Sequence, residues 1–142
     1  MNKKIGYTTG VFDMFHIGHL NIIKRAKLEC DYLIVGVTTD ELVYERKKVE
    51  PIIPFAERMA IVENIKFVDE VVPQSNMNKL DAWNNLHFDC MFVGDDWRGT
   101  DAWNKIEDQF LSLPVDIIYL PYTRHISSTK LHKILERLHG GE

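Results

Sequence analysis

The sequence has no basic excess and no apolar run long enough to cross a bilayer. Its 17 lysines and arginines are outnumbered by 21 aspartates and glutamates, giving a formal net charge of -4. A general nucleic-acid or membrane-surface binder would need a basic surplus. A transmembrane helix would need about 20 apolar residues. We therefore expect neither a nucleic-acid partner nor a membrane partner.

Cysteine is also scarce. The only two, Cys30 and Cys90, fit neither a CxxC motif nor the ligand spacing of a zinc site. We interpret them as reduced thiols near strand ends, and we predict no protein-bound metal centre. The start, MNKKIGYTTG, has no long apolar stretch of the kind found in signal peptides. These features lead us to expect a cytoplasmic protein.

The pattern of apolar residues predicts the fold. With 142 residues, the chain is expected to form a single domain over residues 1–142, with a frayed end. Apolar, β-branched runs predict five strands: Ile5 to Thr8, Tyr32 to Val37, Glu70 to Val72, Cys90 to Val93 and Val115 to Leu120. Apolar residues recur at helical spacing in four segments between and after these strands: Leu20–Leu28, Phe55–Ile65, Trp103–Phe110 and Leu131–Leu138. This alternation favours an α/β, doubly wound, Rossmann-like, mostly parallel five-stranded sheet with helices on both faces.

The first loop after a strand carries the clearest chemical motif. His16 and His19 are three positions apart, which puts both imidazoles on one face of a first helical turn. Gly10 and Gly18 allow the backbone to approach a ligand closely. Because helix N-termini attract phosphate, the loop suits a triphosphate. Surface or capping histidines, or a two-ligand metal pair, are the alternatives.

The motif Gly10-Val11-Phe12-Asp13, followed by His16-Ile17-Gly18-His19, resembles the signature of the HxGH nucleotidyltransferases. Among them the chain is most similar to the bacterial glycerol-3-phosphate cytidylyltransferases, from Ile5 to about Leu138. The resemblance implies that His16 and His19 bind the nucleotide phosphates and stabilise the pentavalent α-phosphorus. It also assigns nucleotide contacts to Thr9, Gly10, Val11 and Phe12, and an acceptor contact to Asp13. Relatives often carry Thr or Cys where Val11 stands.

A second candidate region is the charged run from Glu45 to Pro51, which is predicted as a loop. The resemblance implies an active-site lysine there and an arginine in the helix that follows. We assign Lys48 and Arg58 to catalysis, and Lys47 and Lys48 to substrate binding, leaving open which lysine is the match. A solvated loop and an arginine paired with a neighbouring carboxylate are the alternatives.

A third motif, Gly94-Asp95-Asp96-Trp97, follows the fourth predicted strand. Ligands of doubly wound sheets bind at this edge. We assign Gly94 and Asp96 to the nucleotide, and Asp95, Asp96 and Trp97 to the acceptor, as in similar enzymes. An Asp-rich turn over a packed tryptophan is the alternative.

The last motif precedes the final helix. Relatives show an Arg-Thr-x-Gly-Ile-Ser-Thr-Thr pattern that contacts nucleotide phosphates and ribose. By this resemblance the nucleotide contacts are Thr123, Ile126, Ser127, Ser128 and Thr129. Tyr122 stands in place of the family arginine and His125 in place of the glycine. Arg124, which we assign to substrate binding, offers a charge from a shifted position.

The resemblance predicts an enzyme that transfers CMP from CTP to a small phosphorylated alcohol, with glycerol 3-phosphate as the best match. It also implies Mg²⁺ on the triphosphate, a homodimer and a place in teichoic-acid precursor synthesis. Phosphocholine, phosphoethanolamine or another polyol phosphate, and ATP in place of CTP, remain alternatives. A nucleotide-binding module without turnover is a further alternative from a different class.

Overall fold

Alternating strands and helices fill the part of the chain that the computed structural model describes, residues 3–122 and 128–140. The strands there are Ile5–Gly10 (β1), Tyr32–Thr38 (β2), Glu70–Gln74 (β3), Cys90–Gly94 (β4) and Asp116–Leu120 (β5). The helices are Ile17–Leu28 (α1), Asp40–Lys47 (α2), Phe55–Glu63 (α3), Lys79–Leu86 (α4), Asp101–Phe110 (α5) and Ser128–Gly140 (α6). A short 3-10 helix, Asp95–Trp97, follows β4.

The strands form one sheet in the order β3-β2-β1-β4-β5, and every pairing is parallel. The strand order reverses between β1 and β4, so the chain is doubly wound, as the apolar pattern predicted. Helices cover both faces. Residues of α1 and α3 pack with Leu33 and Val35 on one face, and residues of α4 and α5 pack with Ile34 and Met91 on the other.

The crevice at the reversal arises because β1 and β4 pair over a short length. Their register runs only from Gly6↔Cys90 to Tyr7↔Met91, although both strands continue beyond it. Past these pairs the Thr8 hydroxyl donates to the Phe92 carbonyl oxygen at 3.0 Å, a side-chain bond in place of a ladder bond. The carboxyl ends of the two strands therefore border an opening, which is where ligands of such sheets bind.

Two helices differ from the sequence-based expectation. The run predicted as a charged loop is helical up to Lys47, because α2 extends over Asp40–Lys47 and Thr39 caps it through its side chain. The helix α4 was not predicted, and Asn78 caps it. Leu28, the last apolar residue of the segment predicted as the first helix, is exposed. No helix within the described ranges combines the length and apolar character needed to cross a bilayer.

Candidate active site

The loop between β1 and α1 is shaped by an aromatic anchor. Phe12 is buried, and its backbone has a φ of 56°, in the left-handed region. Its ring packs against Gly10 so closely that a Cβ there would lie 2.8 Å from the ring. A side chain at position 10 would therefore displace the anchor, and the loop keeps its backbone open at the carboxyl end of β1.

His16 and His19 form a reciprocal cap at the start of α1. The Gly18 N–H donates to His16 Nδ1 at 3.0 Å, and the His16 N–H donates to His19 Nδ1 at 3.2 Å. The two rings stack with centroids 3.9 Å apart. Because each Nδ1 accepts a hydrogen bond, the proton of each neutral ring resides on Nε2. Among the described residues, the buried Nε2 of His16 has no hydrogen-bond partner.

Both imidazoles are neutral at pH 7. Burial lowers the pKa of His16. Burial, followed by the charge of His16, lowers the pKa of His19 to about 3, against a smaller opposing effect of Asp13. The pair therefore carries no resident charge, and His16 presents an Nε2–H donor. Buried polar atoms are normally hydrogen-bonded, so the orphaned donor of His16 suits an anionic ligand.

A cavity of about 310 Å³, which we call the histidine cavity, lies over this pair. It brings together many of the residues predicted for the nucleotide, which come from two separate stretches of sequence. Its lining includes Thr9, Gly10, Val11, Phe12, His16, His19, Lys47, Gly94, Asp96, Trp97 and Tyr122. The loop after β1 and the loop after β4 thus meet across the crevice, as their positions at strand ends predicted.

A second cavity of about 550 Å³, the lysine cavity, adjoins the first. The two share six lining residues: Thr9, Gly10, Val11, Lys47, Val93 and Trp97. Four cationic side chains line the lysine cavity: Arg46, Lys47, Lys79 and Lys105. Among the described residues, no carboxylate lines it. In a chain of net charge -4, this concentration of positive charge marks a place for an anion.

Lys79, which the sequence analysis did not single out, is the most unusual of these cations. It is only 5% exposed, and its Nζ donates to the Thr9 hydroxyl at 2.8 Å. The rings of Tyr7 and Trp103 each lie 5.9 Å from Nζ. Burial, and then the charge of Arg46, lowers the pKa of Lys79 to about 8. No carboxylate in the described part of the chain pairs with it.

The two candidate lysines at the end of α2 are separated by the helix terminus. Lys47 is the last residue of α2 and lines both cavities. Lys48 is the C-cap, in the left-handed region with a φ of 60°, and its Nζ lies 6.0 Å from the Tyr44 ring. The structure thus brings Lys47, rather than Lys48, to the cavities.

Arg58, predicted to be catalytic, lies behind the cavity wall with no exposed surface. Its guanidinium donates to the carbonyl oxygens of Ile53 at 2.8 Å, and of Val11 and Thr38 at 2.7 Å each. It also pairs with Asp40 at 2.5 Å. With this set of acceptors, Arg58 ties the β1–α1 loop to the ends of β2 and α3.

Asp13, predicted to contact the acceptor, is 2% exposed and does not line either cavity. Its carboxylate accepts hydrogen bonds from the N–H groups of Ile52 and Ile53, both at 2.8 Å, and lies 2.6 Å from His132 Nε2. Burial acts to raise the pKa of Asp13, but these hydrogen bonds and His132 hold it below the ordinary value. Asp13 therefore fastens α6 and the segment before α3 to the loop.

The remaining predictions fall around β5 and the final helix. Asp95 accepts a hydrogen bond from the Tyr122 N–H at 3.2 Å, which links the 3-10 helix to the end of β5. Tyr122 itself lines the histidine cavity. Thr123, Arg124, His125, Ile126 and Ser127 lie outside the described residues. Ser128 and Thr129 belong to the first turn of α6, and their side chains are also outside the described part.

Comparison with known proteins agrees with this architecture. A family model described as cytidylyltransferase-like matches residues 7–134. A glycerol-3-phosphate cytidylyltransferase of Bacillus spizizenii is 37% identical over 139 residues, covering 97% of this chain and 100% of that protein. An FAD synthase of Pyrococcus horikoshii is 36% identical over 132 residues, covering 91% and 88%.

Among solved structures, a lipopolysaccharide core biosynthesis protein of Thermoplasma volcanium matches with a TM-score of 0.74 and 24% sequence identity. The match covers 86% of this chain and 99% of that protein. At this identity the likeness shows the shared fold alone.

Proposed function

Because this chain belongs to the cytidylyltransferase-like family, we propose that it transfers CMP from CTP to glycerol 3-phosphate, forming CDP-glycerol and pyrophosphate. The observation that carries the proposal is the pair of adjoining cavities at the β1–β4 crevice, each equipped for an anion. Two phosphorylated substrates must meet in such a reaction, and the shared wall from Thr9 to Val11 allows this.

We assign the two substrates from the chemistry of the two cavities. The histidine cavity follows the β1–α1 turn, so the nucleotide phosphates lie near the N-terminus of α1, the positive end of the helix dipole. The lysine cavity receives the acceptor, with its phosphate near the buried ammonium of Lys79. A triphosphate extending along the shared wall would then bring its α-phosphorus close to the acceptor phosphate.

The reaction needs little covalent participation from the protein. A phosphate oxygen of the acceptor attacks the α-phosphorus of CTP, and the bond to the oxygen that bridges to the β-phosphorus breaks. The bridging oxygen leaves with the pyrophosphate and carries the electron pair. No general base is required, because a phosphate monoester is largely a dianion at pH 7. Positioning and charge stabilisation therefore account for catalysis.

The histidine pair supplies stabilisation that strengthens as charge develops. His16 Nε2–H is held in place by the bond of its other ring nitrogen to Gly18, so it donates to the anion without reorganising. Lys47, which reaches both cavities, adds a positive charge where the two substrates join. Arg58 and Asp13 act indirectly, because their hydrogen bonds fix the backbone of the loop.

Magnesium is expected with the triphosphate. Within the described residues no group of three histidine, cysteine or acidic side chains could hold a metal by itself. Mg²⁺ commonly retains water and binds substrate phosphates with one or two carboxylates. Asp96, which lines the histidine cavity, fits that requirement. When bound, the ion would neutralise charge on the phosphates.

The same resemblance supports a cytoplasmic homodimer that acts in teichoic-acid precursor synthesis. Light scattering coupled to size-exclusion chromatography tests the dimer, with a mass of twice the monomer as the expected result. A monomeric mass at micromolar concentration would contradict it.

The primary test is pyrophosphate release with Mg²⁺. CTP and ATP are each crossed against glycerol 3-phosphate, phosphocholine, phosphoethanolamine, FMN and no acceptor. We expect release with CTP plus glycerol 3-phosphate. Release only with ATP plus FMN would move the chain to the activity of its FAD synthase relatives. Nucleotide binding without release from any pair would indicate a module without turnover.

The role of the histidines is tested by His16→Asn. Asparagine can still accept the Gly18 N–H as an N-cap, but it lacks the Nε2 donor. We expect kcat to fall roughly 100-fold or more, the scale for loss of one preorganised charge stabiliser. His19→Ala should have an effect of the same order. The exposed His87 at the C-cap of α4 provides the control, and His87→Asn should retain full turnover. Unchanged kcat in His16→Asn would remove the histidine from the reaction.

A further inference from the structure

A buried amide stands at the carboxyl end of β3, beside the lysine cavity. Gln74 is the last residue of that strand and is 6% exposed, yet it lines the cavity together with Lys79. Amides are costly to bury without hydrogen-bond partners. The amide of Gln74 therefore needs hydrogen-bond partners, from the protein or from a ligand in the cavity.

One end of this amide is held. The Thr38 hydroxyl lies 2.7 Å from Gln74 Oε1 and 3.2 Å from the Gly10 carbonyl oxygen, and both atoms compete for its single proton. Whichever end of the amide meets the hydroxyl, the side chain is fixed by a buried neighbour. The other end, Nε2, has only the Met77 sulfur at 3.6 Å among the described residues. Sulfur is a weak acceptor, so this end retains capacity for a ligand.

The other neutral polar side chains of the lysine cavity are already engaged or exposed. Asn78 Oδ1 caps α4, accepting from the N–H groups of Leu80 and Asp81. Thr9 accepts from Lys79, and Gln109 is exposed. Gln74 is therefore the buried side chain best able to bind a hydroxyl group inside the cavity.

The charge of the cavity restricts the kind of acceptor. Its four cationic side chains favour a phosphate, and no carboxylate of the described lining offers a partner to a second, positively charged group. Lys79 already lies near the face of Trp103, where an acceptor ammonium would be repelled. A hydroxylated acceptor phosphate that carries no positive charge fits better than phosphocholine or phosphoethanolamine.

We propose that Gln74 is a specificity-determining residue that hydrogen-bonds a hydroxyl of a polyol phosphate acceptor while Lys79 holds its phosphate. The inference rests on the proposed function and adds the group that recognises the polyol. Sites that hydrogen-bond a substrate hydroxyl discriminate against analogues lacking it, because the buried polar group is then left unpaired. Shape alone gives much weaker discrimination.

The test compares acceptors that differ by one hydroxyl. Glycerol 3-phosphate, 3-hydroxypropyl phosphate and propane-1,2-diol 1-phosphate are assayed with CTP and the unaltered enzyme. We expect kcat/KM to fall at least about tenfold for one of the two analogues. In Gln74→Met, which keeps the length of the side chain, the ratio of kcat/KM for glycerol 3-phosphate to kcat/KM for that analogue should approach one. The KM for CTP and the unfolding midpoint report whether the nucleotide cavity and the fold are intact.

Two further variants separate recognition from a structural role. Gln74→Glu replaces the Nε2 donor by an oxygen that accepts a hydrogen bond from the same hydroxyl. It should therefore keep the discrimination while its negative charge raises the KM of every phosphate acceptor. Asn84→Leu, which also replaces an amide by an apolar side chain but at an exposed position of α4 outside both cavities, should keep the wild-type ratio. Equal discrimination by Gln74→Met and the unaltered enzyme would overturn the inference alone. Absence of turnover of all three acceptors by the unaltered enzyme would overturn the proposed function, and this inference with it.

Discussion

Two buried cations, Arg58 and Lys79, occupy opposite situations in this molecule. Arg58 has no exposed surface and meets three carbonyl oxygens and a carboxylate. Lys79 is almost as deeply buried, but it meets one hydroxyl and two aromatic rings. The first cation is fully satisfied by the protein, and the second is not.

This difference separates a structural charge from a functional one. Burying a charge costs free energy unless its hydrogen bonds are made. Arg58 recovers that cost within the fold, so its environment explains its presence. Lys79 does not recover this cost, and the lowering of its pKa to about 8 reflects the burial of its charge. An anionic ligand that enters the lysine cavity would supply the missing partner.

The largest effect is expected at Arg58. Arg58→Met leaves the carbonyl oxygens of Val11, Thr38 and Ile53 buried without their donor. We expect the free energy of unfolding to fall by about 3–5 kcal/mol, the range for breaking a buried ionic network, as measured by urea denaturation. Turnover should fall along with stability. Lost turnover with an unchanged urea midpoint would contradict this and would assign Arg58 to the reaction itself.

At Lys79 the expectation reverses, with loss of activity but not of stability. Lys79→Met should lower kcat/KM for the acceptor about 100-fold or more, because a desolvated charge partner of the phosphate is removed. The unfolding midpoint should hold or rise, since an apolar side chain of similar length replaces a poorly satisfied charge. Lys66→Met, on the surface beside Phe67, is the matched control. A large drop in the midpoint would make Lys79 structural.

The pH dependence of the acceptor KM distinguishes the two cations more finely. Lys79 is charged below its pKa of about 8, lowered from 10.5, so acceptor binding is retained below pH 8 and lost above it. We expect the acceptor KM to rise up to about tenfold per pH unit there. The contribution of Lys79 to stability has the opposite sign. Because the unfolded chain binds this proton more tightly, stability should increase from pH 8 to 10.5.

A steady-state profile from pH 7 to about 9.5 provides the measurement. The Lys79→Met profile should lack the rise in acceptor KM, while the KM for CTP should change little in either protein. A rise of the same size in the variant would assign the titration to another group.

The sheet could be predicted because parallel strands, buried on both faces, appear in sequence as continuous apolar runs. The helix α2 escaped prediction because only Leu42 and Val43 of its residues are buried and its end is charged. The helix α4 escaped for a similar reason, since it is short and rich in asparagine.

The candidate site was predictable where motifs lie directly after strands. The histidine pair and Asp96 both meet at the histidine cavity for this reason. The direction of a helical side chain depends instead on tertiary packing, so the sequence did not reveal that Arg58 is fully buried, and Lys79 was overlooked. One signal was available: Asn78 followed three positions later by Asp81 marks a helix start, just beyond the functional end of β3.

The contact between Asp13 and His132 has a consequence for folding during translation. The two residues are 119 positions apart, and a ribosome that adds about 5–20 residues per second needs roughly 6 to 24 seconds to cover that interval. Ile52 and Ile53 can reach Asp13 early, whereas α6 arrives last. The nascent polypeptide therefore carries its histidine pair on a loop that lacks one of its hydrogen-bond partners until α6 has been translated.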